Sequence, residues 1–287
     1  VLKNKIALCV GINNYPGIDS DLSGCVNDAK DWSELLKKNG FVVGLLLDQV
    51  ATRSNVLHRL HSMVAVLQPN DTMVFTFSGH GTQVPDENSD EPDGLDECLC
   101  CYDSKFGGLI YDDEIWKIFR SKKPGVKIVM ISDSCHSGTV ARKMGARPLL
   151  LDPDKQNGPP IARRKYVPYQ VLEMAGCMPR GPELDPAARQ MLSEEGGWLK
   201  ESVGSDKVPW PLLLLSGCQD NEYSYDAEIN HRPNGALTAY AISTYNNLPK
   251  DVTYRQWFTE IRSKLPNLYY PQTPRMAGSY IDTPALS

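Results

Sequence analysis

Four short apolar runs, each stopped by a polar or glycine-rich turn, constrain this chain more than any other feature. Ile6 to Val10 runs into Gly11-Ile12-Asn13-Asn14, and Phe41 to Leu47 ends at Asp48. Thr72 to Phe77 ends at Ser78-Gly79-His80-Gly81, and Val126 to Ile131 ends at Ser132-Asp133-Ser134-Cys135. Short continuous apolar runs suit strands buried on both faces. Helical patterns lie between them. Asp28 to Asn39 places Ala29, Trp32, Leu35 and Leu36 on one face and stops at Gly40. Thr52 is a fitting N-cap for a second helix, with Val56, Leu57, Leu60, Met63, Val64 and Leu67 inward and Pro69 closing it. A third spans Asp112 to Arg120. Strands alternating with helices need crossover connections, so the chain reads as α/β with a mostly parallel central sheet flanked by helices.

The chain has 287 residues, enough for one large domain or two ordinary ones. Its 41% hydrophobic and 23% charged content exclude disordered, collagen-like and coiled-coil architectures. A net charge of -5 argues against a nucleic-acid coat or a polybasic membrane anchor, so neither partner is expected. Eight cysteines are far too sparse for a disulfide scaffold, and a reducing, cytoplasmic compartment is expected. Cys98, Cys100 and Cys101 lie in ECLCCYD, which alternates like a strand and reads as buried small hydrophobes. No apolar run reaches the roughly 18 residues of a membrane span. The early IALCVGI reads as a strand and not as a signal segment.

Composition then divides the chain. Residues 1–144 form the larger α/β block. From 145 to 207 the chain is rich in Pro, Gly and charge, including Arg147, Arg163, Arg164, Lys165, Arg180, Arg189 and Lys200, and reads as an exposed connector. In 208–287 a buried-strand run, Pro211 to Ser216, precedes helical patterns at Ala236 to Asn246 and Thr253 to Leu265. This smaller block is expected to complete the same sheet.

In an open parallel sheet, functional groups gather at the carboxyl ends of strands. Two such ends carry reactive side chains, His80 and Cys135. Alone, each reads as a polar loop residue or an inert buried thiol. Together on adjacent strands they favour nucleophilic catalysis, because a thiol needs a base within reach to become a thiolate. Gly79 and Gly81 flank the histidine and allow close approach of a substrate. The N–H groups of Gly81 and Cys135 are then the candidate oxyanion donors. His58 and His61 fit a helix surface, His231 a polar loop, and His136 merely adjoins the thiol. The acid-rich stretch from Asp86 to Asp113 reads on composition as a solvated loop.

SGHG followed by DSCHSG resembles the metacaspase family of caspase-like cysteine peptidases. LSGCVNDA (Leu22 to Ala29), SDEPDGLDE (Ser89 to Glu97), IYDDE (Ile110 to Glu114) and LSGCQDNEYSYD (Leu215 to Asp226) extend the likeness in order over nearly the whole chain. It points to a bacterial-type or type I-like member. The resemblance implies a caspase-like sandwich with large- and small-subunit-like blocks joined by a processed linker. It also implies a cysteine endopeptidase acting through the dyad of Cys135 and His80. Caspases carry Gln two residues before the nucleophile, where this chain has Asp133, and their aspartate-gripping arginine falls near Leu22. The resemblance instead implies an acidic specificity pocket from Asp28 and Asp133, with Cys25 and Ser78 beside them, taking Arg or Lys. Helix-dipole stabilisation by Asp28 and turn chemistry at Asp133 are the alternatives.

The matching calcium ligands of the family are Asp96, Asp112 and Asp113, plus an acid seven residues after the nucleophile. That last position is Arg142 here, so activity is expected not to need calcium strictly, with at most a modest effect of the ion. No organic cofactor is implied. The expected partners are protein or peptide substrates with Arg or Lys at the cleavage site, met by a monomer. Self-cleavage is expected in Arg163-Arg164-Lys165 or after Arg180. The rival reading is a catalytically inactive scaffold using the same fold for binding.

Overall fold

Burial on both faces sets the central strands. The computed structural model describes residues 3–85, 95–135, 162–176, 211–219 and 222–287. Strands β1 (Lys5–Gly11), β2 (Val42–Leu47), β3 (Thr72–Ser78), β7 (Lys127–Asp133), β9 (Leu213–Ser216) and β12 (Arg275–Gly278) form one six-stranded sheet in the order β12-β9-β7-β3-β1-β2. All its pairings are parallel except that of β12 with β9. Residues 208–287 therefore supply β9 and β12 to the sheet whose other strands come from residues 1–144.

The strands alternate between two helix layers. Leu8, Val10, Met73, Phe75, Phe77, Ile128 and Met130 pack on one face against α2 (Arg53–Val66), α3 (Asp112–Arg120) and α4 (Tyr169–Met174). Ala7, Cys9, Val74, Val129 and Ile131 face α1 (Cys25–Lys38), α5 (Ala236–Asn246) and α6 (Tyr254–Lys264). Thr52 caps α2 by accepting from the Asn55 N–H, and Thr253 caps α6 in a reciprocal box with Gln256. The architecture is the α/β sandwich expected from the alternating runs.

Two small antiparallel sheets rise from the carboxyl end of the main sheet. One joins β4 (Gly81–Pro85), β5 (Leu95–Cys100) and β6 (Leu109–Tyr111). Cys98, Cys100 and Cys101 are buried there as thiols, packed as small apolar groups. The other joins β8 (Ala162–Arg164), β10 (Tyr225–Ile229) and β11 (Arg232–Gly235). Its β10–β11 hairpin turns on Asn230 and His231, at φ 53° and 62°, as a two-residue turn matched to strand twist requires.

The connector differs from expectation. Residues 162–176 are not an exposed tether: β8 pairs with β10, Lys165 and Val167 are fully buried, and Leu172 anchors α4 in the core. Weak local periodicity hid this, because the segment is held by pairing with a distant strand and by single buried side chains. Arg180 lies outside the described residues. Among the described residues no helix is long and apolar enough to cross a membrane.

Candidate active site

Parallel pairing of β3 with β7 places Ser78 opposite Asp133. His80 and Cys135 each lie two residues beyond those partners, so the crossover connection brings both to one edge of the sheet. Between them runs the connector. The Lys165 carbonyl oxygen accepts from the Gly81 N–H at 3.0 Å and from the Cys135 N–H at 3.2 Å. The Lys165 N–H in turn donates to the Ser224 carbonyl at 3.0 Å, and Val167 N–H donates to the Gly81 carbonyl at 3.1 Å. The chain on both sides of the Lys165–Tyr166 bond is thus held as an added strand, in the manner of β-augmentation. Two backbone donors converge on one carbonyl, the arrangement that stabilises a developing oxyanion.

The Lys165 side chain enters a closed acidic pocket. Its Nζ lies 3.1 Å from Asp28 Oδ2, 3.0 Å from Asp133 Oδ1 and 2.9 Å from Ser78 Oγ. Three acceptors match the three ammonium hydrogens. Each acid is itself fixed. Asp28 accepts from Ser78 Oγ at 2.6 Å, Asn234 Nδ2 at 3.0 Å and the Gly235 N–H at 2.9 Å. Asp133 accepts from Ser224 Oγ at 2.7 Å and from the N–H and hydroxyl of Thr238 at 2.9 and 2.8 Å. Asp28 does stand in the first turn of α1, but these contacts assign its carboxylate to the pocket. Burial works against the Lys165 charge, yet Asp133, Cys25 and Asp28 together hold its pKa well above the usual range. Burial raises Asp28 to about 6 despite the ammonium beside it. Cys25 is fully buried next to this cluster, and burial pushes its thiol well above the ordinary value.

His80 is held from three sides. Its ring Nε2 lies 2.5 Å from the Ser20 carbonyl, which fixes the proton on that nitrogen. Tyr15 Oη accepts from the His80 N–H at 2.8 Å, and the two rings sit 4.7 Å apart. Nδ1 is buried without a partner in hydrogen-bonding geometry and is the ring's basic atom. Burial lowers the imidazole to about 4, against the raising effect of the Ser20 and Lys165 carbonyls. Packing gives Gly79 a reason of its own: a Cβ there would stand 2.6 Å from Tyr15 Oη. Cys135 Sγ is positioned by the Ser224 backbone, taking its N–H and meeting its carbonyl at 3.3 Å.

The structure thus gathers His80, Gly81, Cys135, Cys25, Asp28, Ser78 and Asp133 around Lys165. Asp96, Asp112 and Asp113 lie elsewhere, buried on the β5–α3 corner. Among the described residues no three His, Cys, Asp or Glu side chains converge as metal ligands. Arg142 and His136 lie outside the described residues, and His58 and His61 are exposed on α2. Sequence reading missed Ser20, Tyr15, Ser224, Asn234, Gly235, Thr238 and Lys165 as a pocket group. Ser224 sits inside the quoted motif LSGCQDNEYSYD and Lys165 ends the basic run expected to be cut, but neither signal placed them in the pocket.

A family model described as "Metacaspase, peptidase C14 domain" matches residues 5–143. Metacaspase-1A of Aspergillus fumigatus is 32% identical over 302 residues, covering 96% of this chain and 69% of that protein. The chain belongs to the metacaspase family. Metacaspase-1 of Cryptococcus neoformans is also 32% identical, over 296 residues, and the chain spans 62% of its length. Among solved structures, protein GSU0716 from Geobacter sulfurreducens matches with a TM-score of 0.70 at 26% identity, over 99% of this chain and 98% of that one. The likeness to that structure therefore extends through the small block, beyond the residues matched by the family model.

Two predictions follow from the geometry of this metacaspase site. Gly235 has an ordinary φ of -69°, but a Cβ there would meet Lys165 Nζ at 2.1 Å and Asp133 Oδ2 at 2.2 Å. Gly235→Ala, placed in a Cys135→Ala background, should expel Lys165. Limited trypsin digestion would then cut at 163–165 faster than in the Cys135→Ala parent, and equal protection would refute the steric argument. The second concerns pH. His80 has a folded pKa of about 4 against an ordinary 6.5, so the unfolded chain binds a proton that the folded chain refuses. Stability from this group is present above pH 6.5 and is lost as the pH falls toward 4. The loss amounts to roughly 3 kcal/mol. Denaturant titrations should show His80→Gln with a flatter decline over that window than its parent.

Proposed function

We propose that this metacaspase is a cysteine endopeptidase that hydrolyses peptide bonds after Lys or Arg, and that its own Lys165–Tyr166 bond is its first substrate. The observation that carries this reading is Lys165 itself. Its carbonyl oxygen rests on the Gly81 and Cys135 amides while its ammonium rests on Asp28, Asp133 and Ser78. A scaffold has no need to hold one carbonyl and one ammonium in that relation.

The chemistry follows from the residues. His80 Nδ1 takes the proton of the Cys135 thiol, while Nε2–H stays on the Ser20 carbonyl. Sγ forms a bond to the Lys165 carbonyl carbon, and the negative oxygen is held by the two amides. The C–N bond to Tyr166 breaks as His80 returns the proton to the departing amine. The resulting acyl-enzyme at Lys165 is hydrolysed by water, with His80 as base, and the thiol is restored. Specificity comes from desolvated carboxylates that a neutral or acidic side chain leaves without a counter-charge. An arginine guanidinium carries the same charge into the pocket. The reading needs no cofactor and has the chain acting as a monomer on peptide substrates in the cytoplasm.

Purified wild type should convert to two fragments whose masses place the cut after Lys165, and Cys135→Ala should stay intact. The wild type should also turn over fluorogenic peptides ending in Arg or Lys and spare those ending in Asp. Cleavage that persists in Cys135→Ala, or an intact wild type inert toward all basic peptides, would reject the reading in favour of a scaffold. Calcium gives a separate test. The steps above use none of Asp96, Asp112 and Asp113, and no step is routed through the ion. Turnover of an arginine peptide should survive excess chelator with at most a modest loss. Complete loss, restored by micromolar calcium, would overturn this.

A further inference from the structure

The residue before Lys165 meets a different surface. Antiparallel pairing of β8 with β10 sets Arg164 opposite Tyr225. The Arg164 guanidinium carbon lies 4.3 Å from the centroid of the Tyr223 ring. Its Nε is buried without a hydrogen-bond partner, and among the described residues no carboxylate pairs with it. Burial raises the hydroxyls of both Tyr223 and Tyr225, and the nearby Arg164 charge opposes that rise in each. Tyr223 also stands 5.9 Å from the ring of Tyr166, across the scissile bond. Arg163, by contrast, is exposed, and its guanidinium donates to the Asp21 carbonyl at 2.6 Å. The side chain one residue before Lys165 is therefore held by an aromatic face, and the one before that is exposed.

We propose that Tyr223, supported by Tyr225, is a specificity-determining residue that selects arginine at the position before the cleaved residue, so that the favoured substrates carry Arg-Lys or Arg-Arg pairs. This rests on the reading of Lys165 as a docked substrate. A planar, weakly hydrated guanidinium stacks on a ring in a way that a compact, strongly hydrated ammonium does not. Arginine should accordingly exceed lysine as well as alanine at this position.

The test uses the full chain, incubated until the Lys165 cut is complete, with fluorogenic peptides that end in Lys and differ only in the preceding Arg, Lys or Ala. Wild type should show kcat/KM about tenfold higher for Arg than for Ala, with Lys close to Ala. Tyr223→Leu should bring the Arg to Ala ratio within about twofold, and Tyr223→Phe should keep it high. The ratio is taken within each variant, so a general loss of activity does not mimic the effect. Arg164→Ala provides a second measurement, because it should slow self-cleavage after Lys165 with Tyr223 untouched. Equal rates for the three peptides, or a preference that survives Tyr223→Leu, would overturn the proposal while leaving cleavage after Lys intact. No turnover of any of the three would overturn the underlying reading as well.

Discussion

The Lys165 ammonium, enclosed by Asp28, Asp133 and Ser78, is the contact on which the rest of the site depends. Two carboxylates buried this closely together are unfavourable unless a positive charge joins them. That charge arrives on a segment far from either acid in sequence, and each acid belongs to a different element. Asp28 comes from the first turn of α1, Asp133 from the end of β7, Ser78 from the end of β3. Binding one side chain therefore ties α1 to two strand ends that pairing already sets side by side. The same segment extends the β10–β11 hairpin by a third strand and seals the carboxyl edge of the main sheet.

This arrangement makes one segment both a structural part and a candidate substrate. Val167 and Leu172 are buried on one side of the Lys165–Tyr166 bond, and β8 is paired on the other. Backbone hydrogen bonds supply most of that grip and are indifferent to side chains. Under the proposed reading, discrimination falls to a few positions: the acids around Lys165, the steric gap kept open by Gly235, and the ring of Tyr223. The low pKa of His80 belongs to the same picture. An imidazole sealed beneath the docked strand is kept neutral by burial, and a neutral imidazole is the form that accepts a thiol proton.

Much of the frame was legible in the sequence. Apolar runs ending in turns and separated by amphipathic helices dictate a parallel sheet with helices on both faces, because strands buried on two sides have no other stable arrangement. His80 and Cys135 were legible because strand ends are where such a sheet exposes its functional groups. Asp28, Asp133, Ser78 and Cys25 were legible only through resemblance, since a carboxylate in a helix's first turn has an adequate local explanation. Tertiary structure alone decided the rest. Ser20 orients His80 by a backbone carbonyl, which any residue type supplies, so no side-chain pattern marks it. Gly235 matters for what it lacks. Lys165 sat in a stretch whose Pro, Gly and charge content looks like a solvated tether. Its burial comes from three acceptors on three elements and from pairing with β10, contacts that exist only once the sheet has closed.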